Sequence, residues 1–271
     1  MVVEVGGTDA LSFVQKALHV DGFASLDQAF TPESLRIVEE LFDELVQRAR
    51  TLDAGSRASS MIYDMLPGGQ HGLSPGNEWD QLEIQHAGAL QPVLLDTDVF
   101  RQCDALAKRL ARGSSYSFDH FICKSPRNIA ETPWHQDAAF MRFAPSRMGA
   151  LHFWIPFQDA TIDNGCMRFV PGSHRMPLLP HQPFAREKGP KGWRCDSVDN
   201  DEAISCPVPL GGVAIHTPYT LHQAGRNATD LPRKAWIIQF SRWGRIQHDV
   251  RRYFRRLPGP LKTAPLQPLP A

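Results

Sequence analysis

From Ser114 onward the chain is cut into short apolar or alternating runs separated by turn residues, and that grammar decides most of what it can fold into. The runs are Tyr116–Cys123, Gly149–Phe157, Met167–Val170, Gly212–His216 and Ala235–Ser241. Between them lie Asp163-Asn164-Gly165, Pro171-Gly172-Ser173 and Leu210-Gly211-Gly212. Short runs punctuated in this way read as the strands of an antiparallel β-sandwich or barrel.

Ahead of Ser114 the spacing is helical. A short amphipathic stretch covers about Asp9 to Leu18, and Gly22–Leu26 is short enough to be a strand. Thr31-Pro32-Glu33 is a helix start, with Thr as the cap and Pro in the first turn. Leu35, Val38, Leu41, Phe42, Leu45 and Val46 follow on one face. A third helix is expected from about Asp98 to Arg112, with Val99, Cys103, Leu106 and Leu110 in phase and Gly113 as its stop. Residues 54–80 are rich in Gly, Ser, Pro and Asn and read as a long loop, a feature uncommon unless it serves a purpose. Helices followed by strands imply one α+β, mainly β domain over residues 1–256, its helices buttressing the β-core. Residues 257–271 form a Pro-rich tail, extended or disordered. There is no internal repeat.

Composition narrows the partners. Lys plus Arg and Asp plus Glu are 29 each, so the formal charge is zero and a dedicated nucleic-acid or anionic-membrane surface is not expected. No apolar run approaches the roughly 20 residues of a membrane-spanning helix. The opening MVVEVGGTDALSF lacks the basic and apolar regions of a secretory signal. Five cysteines, widely spaced and without a C-x-x-C pair, argue against a disulfide framework or thiolate zinc site and suit a reducing, cytoplasmic setting. Oligomeric state stays open between monomer and homodimer.

Pro133-Trp134-His135-Gln136-Asp137 is the centre of interest among eleven histidines. In an extended segment His135 and Asp137 project from the same face and offer one nitrogen and one oxygen ligand. A histidine from a distant strand would complete the two-His-one-carboxylate facial triad of non-heme Fe(II) oxygenases. Taken alone, H-x-D is also what a surface histidine beside a solvated aspartate looks like.

Three further segments give that pair its context: Asn164-Gly165-Cys166-Met167-Arg168-Phe169-Val170-Pro171-Gly172-Ser173-His174, Leu221-His222-Gln223-Ala224-Gly225-Arg226-Asn227, and Arg233-Lys234-Ala235. With W-H-Q-D, in this order and spacing, the chain resembles the phytanoyl-CoA dioxygenase (PhyH) family of Fe(II)/2-oxoglutarate oxygenases over roughly Phe121 to Ser241. A weaker echo lies at Asp21-Gly22-Phe23.

That resemblance implies a double-stranded β-helix (jelly-roll, cupin-like) core, with His135, Asp137 and His222 as metal ligands and catalytic centre. His174, His181, His216 and His248 are rival distal ligands. His174 reads as a turn residue, His216 as lining the site without ligating, and only His222 is followed by the family's Asn227 and Arg233. The resemblance gives Arg233 the distal carboxylate of 2-oxoglutarate, a task that suits a planar guanidinium fork. Trp154 and His120 match positions near the cosubstrate; a core aromatic and a satisfied strand histidine are their plainer readings.

The implied reaction consumes 2-oxoglutarate and O2, yields succinate and CO2, and by default hydroxylates an unactivated C–H bond of a small molecule, with ascorbate as the reductant in vitro. Cyclisation, desaturation or epimerisation are diversions of the same chemistry. A non-catalytic jelly-roll receptor for metal or small molecules is the rival from another class. Two departures stand out: Ala224 replaces a serine found in some members, and a cosubstrate lysine of the N-terminal half has no clear counterpart. The presence of Asp137 disfavours halogenation.

Outside these motifs, Arg245, Arg251, Arg252, Arg255 and Arg256 form a basic cluster, read as a solvated helix face or an anion or oligomer contact. Asn227-Ala228-Thr229 fits the glycosylation pattern without a signal peptide to give it meaning. Met61, Tyr63, Met65, Leu66 and Trp79 dot the 54–80 loop, which reads either as a lid over the metal or as packing on the core's outside. Trp134, Phe140, Met141 and Phe143 are the expected apolar wall beside it.

Overall fold

The structure, a computed structural model, describes residues 8–49, 61–64, 81–128, 130–141, 149–184, 192–196, 198 and 200–242. Its helices are α1 (Thr8–Val20), α2 (Pro32–Ala49), the one-turn α3 (Ala87–Leu90) and α4 (Asp98–Leu110). The first strands are β1 (Phe23–Leu26), β2 (Ile62–Asp64), β3 (Gln81–Gln85), β4 (Ser115–Lys124), β5 (Thr132–His135) and β6 (Ala150–Pro156). Then come β7 (Met167–Phe169), β8 (Gln182–Phe184), β9 (Gly192–Arg194), β10 (Ile204–Cys206), β11 (Val213–His216), β12 (His222–Ala224) and β13 (Arg233–Ser241).

The helices start where their caps dictate. Thr31 Oγ1 accepts the Ser34 N–H at 3.2 Å with Pro32 opening α2, and Thr97 Oγ1 accepts the Phe100 N–H at 3.3 Å ahead of α4. Leu35, Val38, Phe42 and Leu45 of α2 and Val99, Cys103, Leu106 and Ala107 of α4 turn inward. Beyond α4, Gly113 at φ +79° turns the chain towards β4.

Seven strands form one antiparallel sheet in the order β1-β11-β6-β13-β4-β3-β2, and four form a second in the order β10-β7-β12-β5. From β4 to β7, and again from β11 to β13, the chain alternates between the two sheets. That alternation is the double-stranded β-helix. Strands β8 and β9 pair as a separate hairpin.

The period of two in each strand separates two chemistries. On the outer face of the large sheet Phe121, Leu151, Phe153, Ile155, Trp236, Ile238 and Phe240 pack against the helices in the main core. The inner face carries His120, Lys124, His152, Trp154, Arg233 and His216, registered across β4, β13, β6 and β11. Strand β6 is buried along its whole length because both faces are covered. The apolar part of the inter-sheet layer is built from Trp154, Cys166, Met167, Phe169, Ala235 and Ile237.

Three expectations need correction. Residues 62–64, inside the expected loop, are strand β2 paired with β3, and Tyr63 is buried; residues 54–60 and 65–80 lie outside the described residues. Trp134 does not line a wall beside His135. Adjacent strand residues face opposite ways, so it joins Val170, Cys195 and Leu221 in a cluster of its own. Asp137 is not in the strand with His135 but opens a 3₁₀ turn, Asp137–Phe140. Phe143, the basic cluster from Arg245, His248 and the Pro-rich tail also lie outside the described residues.

Asp119 fastens β4 to its surroundings. Its fully buried carboxylate accepts from Tyr116 Oη–H at 2.7 Å, Trp236 Nε1–H at 3.0 Å and the Gly88 N–H at 2.9 Å. Burial pushes this carboxyl above its ordinary range, while those donors pull it back. Asp119→Ala strands two buried N–H donors at about 1–3 kcal/mol each. Chemical denaturation is expected to show a stability loss of about 3 kcal/mol, with Asp119→Asn losing less.

Candidate functional site

His135 and His222 are register partners across β5 and β12, and their ring centroids lie 4.2 Å apart. Each ring is held from behind by a backbone carbonyl two residues earlier. His135 Nδ1 lies 2.7 Å from Pro133 O, and His222 Nδ1 lies 2.8 Å from Thr220 O. Those contacts put the proton on Nδ1 and leave both Nε2 lone pairs free to bind a metal.

Asp137 reaches the same point. Its Oδ1 is 3.5 Å from His135 Nε2 and its Oδ2 is 3.7 Å from His222 Nε2, and the three ligand atoms all lie within 4.8 Å of one another. The backbone between the first two groups is pinned. Gln136 N–H donates to His181 Nε2 at 3.0 Å, while the Gln136 side chain donates to Tyr219 O and accepts the Leu179 N–H. His181 is therefore a support for the H-x-D segment. His174 is the turn residue the sequence suggested, its Nε2 3.2 Å from His19 O.

Two more imidazoles crowd the carboxylate. His152 Nδ1 is 2.9 Å and His216 Nε2 3.0 Å from Asp137 Oδ2. Together with Asp137 they form a second three-donor set. Sequence reasoning placed His216 beside the site but missed His152. The signal was there, since a histidine inside the apolar run Ala150-Leu151-His152-Phe153-Trp154-Ile155 must face something polar.

Burial opposes charge on Asp137, yet the neighbouring His152 and His222 and the hydrogen bond from His152 hold its carboxyl well below the usual range. Burial, with repulsion from His135, takes His222 well below an ordinary histidine, and burial lowers His216 as well. The centre is thus an anionic carboxylate facing a neutral His222 at pH 7, the protonation that metal binding requires.

At the other end of the inner face, Arg233 begins β13 and sits 1 % exposed, with its guanidinium 5.4 Å from the Trp154 ring centre. Its Nε, Nη1 and Nη2 find no hydrogen-bond partner. Burial pushes it down to about 10, so it stays cationic at neutral pH. Lys124, its register partner on β4, is spent otherwise: Nζ donates to Ala130 O at 3.1 Å, Ala224 O at 3.2 Å and Gly225 O at 2.5 Å. Arg233 is therefore a buried cation whose guanidinium has no hydrogen-bond partner. His120, on the same face, lies 2.8 Å from Glu83 Oε1, so the structure makes it a satisfied strand histidine on the inner face of the sheet.

The profile of the phytanoyl-CoA dioxygenase (PhyH) family matches residues 18–235. The chain belongs to that family. Phytanoyl-CoA dioxygenase domain-containing protein 1 of Bos taurus is 28% identical over 162 residues, which cover 58% of this chain and 55% of the bovine protein. The chain thus spans about half the length of such curated relatives. Among solved structures, EvdO2 from Micromonospora carbonacea var. aurantiaca, in complex with 2-oxoglutarate, superposes with a TM-score of 0.67 at 28% identity, covering 89% of this chain and 93% of that one. The epimerase SnoN from nogalamycin biosynthesis, with Fe3+ and α-ketoglutarate, shares the fold at 22% identity and a TM-score of 0.57, covering 96% of this chain and 94% of SnoN.

At the position where some PhyH members carry a serine, Ala224 has a buried side chain, and its carbonyl anchors Lys124. The lone Arg233 makes a prediction about stability. Replacing a buried, unpaired cation with an apolar isostere removes a desolvation cost. Arg233→Met is expected to leave thermal stability unchanged or raise it by about 1–2 kcal/mol. The same change is expected to weaken 2-oxoglutarate binding about 100-fold in a calorimetric titration, since charge-assisted hydrogen bonds contribute about 1.5–3 kcal/mol.

Proposed function

We propose that this protein is an Fe(II)/2-oxoglutarate-dependent dioxygenase that hydroxylates an unactivated C–H bond of a small molecule. The observation that carries the reading is the pairing of His135, Asp137 and His222, poised for one divalent cation, with a buried guanidinium at Arg233 that has no partner of its own. Membership of the PhyH family supports it, as does likeness to EvdO2, a protein that binds 2-oxoglutarate.

The donor set fits the metal. Two neutral imidazole nitrogens and one carboxylate leave open positions on a six-coordinate ion, as non-heme Fe(II) sites need. Iron bound there supplies the chemistry by which R–H, 2-oxoglutarate and O2 become R–OH, succinate and CO2.

The chain's own residues bind and orient. Arg233 pairs with the distal carboxylate of 2-oxoglutarate, and the Trp154 face holds that guanidinium in place. The apolar surfaces of Trp154, Phe169 and Ile237 keep the inter-sheet layer dry, which strengthens each polar contact inside it. Phe140, 40 % exposed and edge-on to the His135 ring at 5.7 Å, stands at the solvent side of that ligand. Among the described residues no helix is long and apolar enough to cross a membrane.

The test begins with binding, because the substrate need not be known. Anaerobic addition of Fe(II) and 2-oxoglutarate is expected to produce the weak visible charge-transfer band of the chelate. With ascorbate, O2 and a panel of small natural-product scaffolds, succinate should accumulate with at least one of them. His135→Ala and Asp137→Ala are each expected to lower succinate release at least 100-fold. Full turnover in either variant would sink the assignment, and an iron-loaded protein that never shows the band would be a binding protein instead.

A further inference from the structure

Two histidines without an assigned role touch the carboxylate at the centre of the site. His152 comes from β6 and His216 from β11, neighbours in the large sheet, and both are buried. Their near nitrogens lie 2.9 and 3.0 Å from the same oxygen, Asp137 Oδ2. A carboxylate oxygen has two lone-pair directions. Two N–H donors at hydrogen-bond distance fill both.

We propose that His152 and His216 are positioning residues that occupy Asp137 Oδ2 and so leave Oδ1 as the single ligand oxygen for the metal. The inference rests on the dioxygenase reading above. A carboxylate free to bind through both oxygens would take an additional coordination position. The reaction needs that position, because 2-oxoglutarate binds through two atoms and O2 requires another. The two histidines keep the carboxylate from claiming it.

The alternative is that His152, His216 and Asp137 themselves hold a metal, and the far side of each ring argues against it. A ligating imidazole nearly always has its other nitrogen fixed by a carbonyl, carboxylate or water. His135 and His222 have such contacts, to Pro133 O and Thr220 O. His152 Nε2 and His216 Nδ1 are buried with no partner. Among the described residues their hydrogen-bond contacts are to Asp137, as befits donors whose orientation is set by the acceptor. The ring of His216 also packs 4.4 Å from that of His222 and 5.5 Å from that of Phe169, which holds it against turning away.

The experiment measures Fe(II) stoichiometry and affinity under anaerobic conditions, together with the 2-oxoglutarate chelate band, in variants that remove or restore each donor. His152→Leu and His216→Leu remove the N–H. His152→Asn puts an amide N–H near the Nδ1 position, and His216→Gln puts one near Nε2. The wild type is expected to bind one Fe(II) per chain. Each leucine variant should keep that stoichiometry with affinity 10- to 100-fold lower, the usual effect of losing an outer hydrogen bond to a ligand. Its chelate band should shift or weaken, and 2-oxoglutarate affinity should fall. The amide variants should recover iron affinity to within about threefold. A thermal melt of metal-free protein confirms that each variant is folded, as expected for an apolar residue in a buried strand.

Wild-type affinity and an unchanged band in both leucine variants overturn the positioning role and leave the dioxygenase reading standing. So does failure of the amide variants to recover while the fold is intact. Two Fe(II) per chain, with one lost on His152→Leu, makes these rings ligands and overturns it as well. Iron uptake that survives His135→Ala but fails in His152→Leu overturns both readings together.

Discussion

A carboxylate enclosed between two β-sheets costs several kcal/mol unless its charge is answered, and the centre of this protein is organised around that demand at Asp137. His152 from β6 and His216 from β11 in the large sheet answer it at hydrogen-bond distance, and His135 from β5 and His222 from β12 in the small sheet stand with their Nε2 atoms 3.5 and 3.7 Å away. One side chain thereby ties the two sheets together, alongside Lys124, whose Nζ reaches from β4 to the Ala224 carbonyl on β12. The loop that presents Asp137 is fixed in turn by Gln136, whose backbone and amide are held by His181, Leu179 and Tyr219. Distances of a few tenths of an ångström matter to a metal site, and this framework sets them from four directions.

The two faces of the large sheet divide stability from chemistry. The outer face, with Phe121, Phe153, Trp236 and the helices α1, α2 and α4, holds the larger apolar cluster. The inner face carries groups that a stability-only protein would not keep there, above all Arg233 and Lys124 side by side in register. Lys124 is satisfied by three carbonyls and uses them to bind the segment that follows His222. Arg233 has no such compensation, and its cost is carried by the rest of the core. A buried cation left bare beside an aromatic face is the sort of local conflict expected where a fold has been shaped by a ligand.

Much of this was legible in the sequence because the strongest signals are local. The Thr31 cap, the helical spacing from Asp98 and the short alternating runs from Ser114 set helices and strands to within a few residues. The H-x-D spacing placed His135 and Asp137 together even though Asp137 proved to open a 3₁₀ turn; a one-residue gap is short enough to survive that change. Strands β2 and β3 were not legible. Gln81-Leu82-Glu83-Ile84-Gln85 alternates, but it is short and stands beside a Gly- and Pro-rich stretch, and its strand character comes from pairing with β4. Trp134 was misplaced for a related reason: the sequence says it neighbours a ligand, and only the pleat says it faces away. His152 needed the tertiary fold, since nothing local connects it to a residue fifteen positions earlier.

The location of each group follows from how firmly strands hold side chains. A residue within a ladder has its backbone tied to a neighbouring strand, on both sides for His222 and His152 and on one side for His135 and Arg233, so these groups stand on positions that move little. Close backbone approach locks the connections as well. A Cβ on Gly165, at φ +86°, would come within 2.3 Å of Gly225 O, so the Asp-Asn-Gly turn nests directly against the segment leaving His222. Gly22, at φ +87°, leaves room of the same kind for the His174 ring and Thr220, and its carbonyl accepts from Thr217 and Thr220 just ahead of that ligand. Both glycines stand in the motifs through which the sequence resembles its family, and here that resemblance has a physical content. Only a residue without a side chain lets the turn touch the strand that carries the distal histidine, so the metal geometry reaches out through packing to positions that no metal would contact.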